Sequence, residues 1–183
     1  TNYYTASGSD SISGQKIVEN HKADFTEEKF TFQLVEVDLS NRPISSTPVS
    51  IETDEKGSFS HTFSFQITKE TDQEELNEIL GDHNYILTEE RGSDSMMTYS
   101  SQKYRITVNV ADNKAGGEGG LTVQVTKVEI KGTNGYTELK ENEPIEFVNI
   151  YRANGSAELT ISKELTGNRS MGIQNGEFGF TAT

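Results

Sequence analysis

Three polar residues fall where an alternating pattern turns apolar side chains inward. In ISGQKIV, Ile12, Gly14, Lys16 and Val18 share one side; in IEFVNIY, Ile145, Phe147, Asn149 and Tyr151 do; in YILTEE, Tyr85, Leu87 and Glu89 do. An amine, a carboxamide and a carboxyl group are therefore expected on the apolar faces of three separate strands. Lysine is seldom buried unpaired, and burying a charge without a partner costs several kcal/mol or more. The chemistry such a group carries is that of a desolvated amine, which gives up its charge readily and becomes a nucleophile. A simpler account takes the residues singly: a snorkelling lysine, a capped asparagine and a parity shifted by a bulge. It serves better for any one of them than for all three.

Strands must position these residues, and period-two alternation, the mark of a half-buried strand, recurs along the chain. It runs through Phe30, Phe32 and Leu34, then Phe63, Phe65 and Ile67, then Tyr85 and Leu87. Tyr104, Ile106, Val108 and Val110 continue it, followed by Leu121, Val123 and Val125, and by Ile145, Phe147 and Tyr151. Breakers separate the runs at 54–58, 112–120 and 132–135. Only EELNEIL at 74–80, with Leu76, Ile79 and Leu80 at helical spacing, reads as a short helix. Many short strands with turn signals between them predict an all-β fold, a β-sandwich in preference to a barrel.

Composition narrows the function classes. A formal net charge of −13 argues against nucleic acid as a partner, since its binders carry Lys/Arg patches that displace counterions. No apolar run approaches the roughly 18 residues needed to cross a bilayer. No signal peptide opens the sequence, which fits a cytosolic chain or a mature or excised fragment. With no cysteine among 183 residues, disulfide scaffolds and thiolate metal sites are excluded, and rigidity must come from elsewhere.

The two ends of the chain resemble each other. TNYYTASGSDSISGQK aligns with VNIYRANGSAELTISK, matching Asn2 with Asn149, Tyr4 with Tyr151, Gly8 with Gly155 and Lys16 with Lys163. With one inserted residue, Phe30–Phe32 then align with Phe178–Phe180. This predicts a tandem array: residues 1–10 as the end of a preceding repeat and its linker, 11–155 as a complete repeat, and 156–183 as the truncated start of the next. Asn2 and Lys163 are then the counterparts of Asn149 and Lys16 in the neighbouring repeats.

ISGQK followed by FTFQL, YILTEE followed by YRITVNV, and EFVNIY followed by LTISKELTGN together resemble the Gram-positive major pilins of the T-antigen type and related surface adhesin repeats. The resemblance spans about residues 11–155. It implies an Ig-like sandwich with Greek-key-type connections, in which a first-strand lysine bonds covalently to a last-strand asparagine with help from a glutamate. By motif these are Lys16, Asn149 and Glu89, with Glu90 and Glu36 as alternative acids. The resemblance further implies that the amine of Lys16 attacks the Asn149 side chain in an aromatic pocket, with Phe30, Phe32, Tyr85 and Phe147 as its wall. Glu89 would hydrogen-bond and polarise the Asn149 side-chain carbonyl and shuttle the proton as ammonia leaves. The reaction turns over once, so an enzyme in the usual sense is not implied, and neither a cofactor nor a metal is required. The implied role is that of a stalk module outside the cell, cell-wall anchored or fimbrial. Its partners would be neighbouring repeats or subunits of the same stalk and a host-surface ligand, with no nucleic acid and no membrane span.

Other signals carry less. His21, His61 and His83 have no ligand spacing and read as surface residues, and no stretch matches an EF-hand loop. AGGEGG lacks the Lys-Ser/Thr of a phosphate loop and reads as a hairpin turn. A host- or carbohydrate-binding sandwich without the cross-link is the alternative function, disfavoured as a sugar platform by the absence of Trp. A glycosidase would need a carboxylate pair in a cleft, which sequence alone does not supply. The strand of Lys163 pairing with another molecule is a further arrangement.

Overall fold

Alternating side chains need two sheets to bury their apolar faces, and the chain supplies them. The structure, a computed structural model, describes residues 4–113, 120–156, 158–161, 164, 176 and 179–181. The strands are β1 (Ala6–Glu19), β2 (Thr31–Val37), β3 (Val49–Glu52), β4 (Ser58–Ile67), β5 (Gly81–Glu89), β6 (Met97–Thr98), β7 (Lys103–Asp112), β8 (Leu121–Gly132), β9 (Gly135–Glu138) and β10 (Ile145–Tyr151), with one helix, α1 (Gln73–Ile79), between β4 and β5. One sheet has the order β4-β1-β10-β6, the other β3-β2-β5-β7-β8-β9. The chain crosses repeatedly between sheets, so spatial neighbours such as β1 and β10 are distant in sequence.

The inward faces meet in one core. Phe32, Leu34, Leu87, Tyr104, Ile106, Val108 and Val110 come from the six-stranded sheet, and Ile12, Phe59, Phe63, Ile67, Ile145 and Phe147 from the four-stranded one. The expected strand parities therefore hold. Helix α1 begins where Asp72 accepts from the backbone N–H groups of Glu74 and Glu75, while the Glu75 side chain accepts from the N–H of Asp72. This reciprocal cap satisfies donors that the first turn leaves free.

Strand β1 starts further upstream than the expected repeat boundary at residue 11. Ala6 to Asp10, expected as linker, already pair with Ile67 to Phe63 of β4. Their small and polar side chains look like a linker, but Ala6 is buried. Gly8 lies so close to the Leu121 carbonyl that a Cβ would stand 2.2 Å from its oxygen. Asp10 accepts from the Val125 N–H at 2.7 Å, tying β1 to β8. AGGEGG falls largely on residues 114–119, outside the described residues; the strands flanking it pair antiparallel to Asp112 and Leu121. The chain divides into two units, Thr1–Arg152 and Ala153–Thr183, and the whole sandwich lies in the first.

His83, expected as a plain surface residue, is instead a partly buried tie between strands. Its Nδ1 lies 2.8 Å from Glu36 and its Nε2 3.0 Å from the Ile79 carbonyl. The bond to Glu36 raises the imidazole pKa above 6.5, against an opposing effect of burial. A raised folded-state pKa adds stability that is complete below the unfolded value and lost as pH rises through the folded one. The stability difference between wild type and His83→Gln is thus expected to be larger near about pH 5.5 than near about pH 8.5, by about 1 kcal/mol at most. Denaturant titrations at the two pH values check this; equal differences would remove the charge from the account.

Candidate functional site

Parallel pairing of β1 with β10 brings the first and last strands side by side, with Lys16 opposite Phe147 and Val18 opposite Asn149. Lys16 and Asn149 are thus two rungs apart on adjacent strands and face the same way, into the sandwich. Glu89 reaches them from β5 of the other sheet, where it sits opposite Phe32. The three side chains have almost no contact with water: Lys16 is 1% exposed, Asn149 0%, and the Glu89 side chain 0%.

The hydrogen bonds form a relay. Lys16 Nζ donates to Glu89 Oε2 at 2.9 Å and to the Phe147 carbonyl at 3.1 Å. Asn149 Nδ2 donates to the other carboxylate oxygen, Glu89 Oε1, at 2.7 Å. The backbone N–H of Ser100 donates to Asn149 Oδ1 at 2.8 Å. An N–H can only donate, so Oδ1 must face Ser100, and the amide nitrogen, not the carbonyl oxygen as expected, must face the glutamate. Desolvation lowers the lysine pKa, while the bond and charge of Glu89 act in the opposite sense.

Aromatic rings close the pocket. The Lys16 ammonium stands 5.0 Å from the centre of the Phe30 ring. Phe32 packs on Phe147 at 4.9 Å and on Phe59 at 4.2 Å, and Tyr104 meets Phe147 edge-on at 5.3 Å. The Tyr104 hydroxyl bonds the backbone of Glu146 in both senses, donating at 2.8 Å and accepting at 3.1 Å. Gly14, two residues before the lysine, makes room for this wall: a Cβ there would lie 2.2 Å from the Phe59 ring.

Lys16, Glu89, Asn149, Phe30, Phe32 and Phe147 therefore come together as expected from the sequence. Tyr85 does not join them. It packs on Phe63 at 4.8 Å, because strand parity sets a side chain's face but not its place along the strand. It lies four positions before Glu89, about 13 Å at strand spacing. Phe59 and Tyr104 hold the positions nearer the relay; Tyr104 was legible only as core alternation, and Phe59 was not singled out by the sequence. The alternative acids are engaged elsewhere: Glu90 accepts from Gln33 at the surface, and Glu36 binds His83. Asn2 and Lys163 lie outside the described residues.

Comparison with known proteins places the chain in a family. A family model, FctA, described as a Spy0128-like isopeptide containing domain, matches residues 12–152. Among solved structures, the major pilin of Streptococcus pyogenes aligns at 17% identity and a TM-score of 0.40, over 82% of this chain and 51% of that one. A major pilin from a further Streptococcus pyogenes serotype aligns at 18% identity and a TM-score of 0.42, over 79% of this chain and 54% of that one. The chain thus spans about half the length of the solved structures it matches. No curated protein matches it. With a match running from the first strand of the sandwich to the last, the chain belongs to the family of Spy0128-like isopeptide containing domains.

Proposed function

We propose that this chain is a structural module of a Gram-positive surface pilus or adhesin stalk, stapled by a self-formed isopeptide bond between Lys16 and Asn149 with Glu89 as the proton relay. The observation that carries the reading is the Lys16–Glu89–Asn149 relay, buried between two sheets at the junction of the first and last strands. A buried amine and carboxylate with no further task would be an expensive way to hold a core together. Together with an amide they make a reaction.

Its steps balance. The ammonium passes one proton to Oε2 of Glu89, and the neutral amine attacks Cγ of Asn149. As the Nζ–Cγ bond forms, the C=O electron pair moves onto Oδ1. The carboxyl group hands its proton to Nδ2 and takes up a second one from Nζ. The Cγ–Nδ2 bond then breaks, the carbonyl re-forms, and ammonia leaves. Nζ keeps one hydrogen, Glu89 ends protonated, and no net charge enters the pocket at any stage, which a desolvated site favours. Each oxygen of Glu89 faces one nitrogen, so the carboxyl group, by turning about its Cγ–Cδ bond, carries the proton taken at Oε2 to the leaving nitrogen.

Residues 11–155 then form one repeat of an extracellular, cell-wall-anchored or fimbrial stalk, with its first strand prolonged to Ala6 and residues 156–183 opening the next. Neighbouring repeats or subunits are its partners. Intact mass tests the bond directly. Wild type is expected to be lighter than its sequence by one ammonia, about 17 mass units, and Lys16→Ala, Glu89→Ala and Asn149→Ala to have full mass. A wild type at full mass removes the cross-link and leaves a plain binding sandwich as the reading.

A further inference from the structure

We propose that the backbone N–H of Ser100 is the oxyanion donor of the cross-linking step. The inference rests on the Lys16–Asn149 reading and assigns a group that the sequence does not reveal. When the amine attacks Cγ, negative charge gathers on Oδ1 of Asn149. Glu89 is turned to the other side of the amide, toward Nδ2, so it handles protons and leaves the developing oxyanion to another donor. Among the described residues, the Ser100 N–H is the group placed on that oxygen, at 2.8 Å. This lies within the range at which a fixed donor stabilises an oxyanion, and the dry surroundings strengthen it.

The donor is held in place by structure on both sides. Before it, β6 pairs with the end of β10, Met97 opposite Tyr151 and Thr98 opposite Ile150, and the Arg152 N–H donates to the Met96 carbonyl. This ladder anchors the segment to the strand that carries Asn149. The backbone then leaves the ladder, and the next inward N–H meets the asparagine side chain instead of a backbone carbonyl. After it, the Ser100 hydroxyl accepts from the Gln102 N–H at 3.2 Å, and the Gln102 side chain donates to the carbonyls of Lys103 and Lys131. A donor fixed in advance costs no reorganisation when the charge appears. The same bond chooses the reactive rotamer, since a flipped amide would set two N–H groups against each other and point the leaving nitrogen away from its proton source.

Cell-free synthesis of the whole chain with an α-hydroxy acid at position 100 replaces the amide by an ester, removing this N–H and keeping the serine side chain. The rate of ammonia loss, followed by mass against time after synthesis, is expected to fall about 10²–10³-fold. The same replacement at Ser101 is expected to react at the wild-type rate. Because the ester could weaken the fold, a measurement on the unaltered protein stands beside it. A scalar coupling across the hydrogen bond, between the Ser100 amide nitrogen and Cγ of Asn149, is expected by NMR. An ester chain that reacts at the wild-type rate, or absence of the coupling, overturns the oxyanion assignment while leaving the bond itself intact. A wild type that never loses ammonia overturns the bond, and this assignment with it.

Discussion

Pulled by its two ends, the wild-type sandwich is expected to bear load without releasing the chain between Lys16 and Asn149. Tension enters at the start of β1 and leaves at the end of β10, strands that lie parallel and adjacent over Gly14–Glu19 and Ile145–Ile150. Their hydrogen bonds are loaded together in shear, not opened one after another. With the cross-link formed, force passes from Lys16 straight to Asn149 and bypasses everything between. That protects 133 peptide units (149 − 16), whose extension would otherwise add about 450 Å at roughly 3.3–3.6 Å per residue. Single-molecule stretching of a polyprotein should show no such step for wild type and a step of about that size for Lys16→Ala. A full-length step in wild type, or its absence from the variant, would refute the bypass.

Replacing Glu89 by glutamine is expected to leave the protein folded, unlinked and markedly less stable. Glutamine matches the shape and can bond both neighbours, but it cannot take a proton from the amine and pass it to the leaving nitrogen. Losing a cross-link over a loop of this length removes about 4–5 kcal/mol by the loop-closure estimate. For a domain of this size that is about 10–20 °C in melting temperature. Glu89→Gln also leaves the Lys16 amine, at 1% exposure, without its counter-charge, which costs more. Asn149→Ala keeps the lysine–glutamate pair, so its smaller loss isolates the cross-link. Calorimetry of wild type and both variants, with masses taken on the same samples, tests this. A Glu89→Gln protein that is lighter by ammonia, or that melts within a few degrees of wild type, would remove Glu89 from the chemistry.

Period-two alternation was enough to read an all-β sandwich, because a residue that alternates between core and solvent has one face to offer and needs a facing sheet. The same alternation turned Lys16, Glu89 and Asn149 inward, and it did so from each strand's own pattern. What alternation cannot carry is position along a strand or between strands. Tyr85 shares a face with Glu89 yet packs on Phe63, while Phe59 reaches the site because β4 pairs with β1 beside a glycine that leaves space for its ring. Residues 6–10 have the composition of a linker and become strand because β4 offers ten residues to pair with.

The parallel registry of β1 and β10 also belongs to the tertiary structure. It depends on how the intervening chain crosses between sheets, and no local pattern encodes that path. The Ser100 N–H is the limiting case: every residue but proline carries such a donor, so no residue type marks it. By itself, then, the sequence determined which groups face inward and what they are able to exchange. Only the fold decided which of them touch, because distance in a sandwich is set by strand order and register and not by separation along the chain.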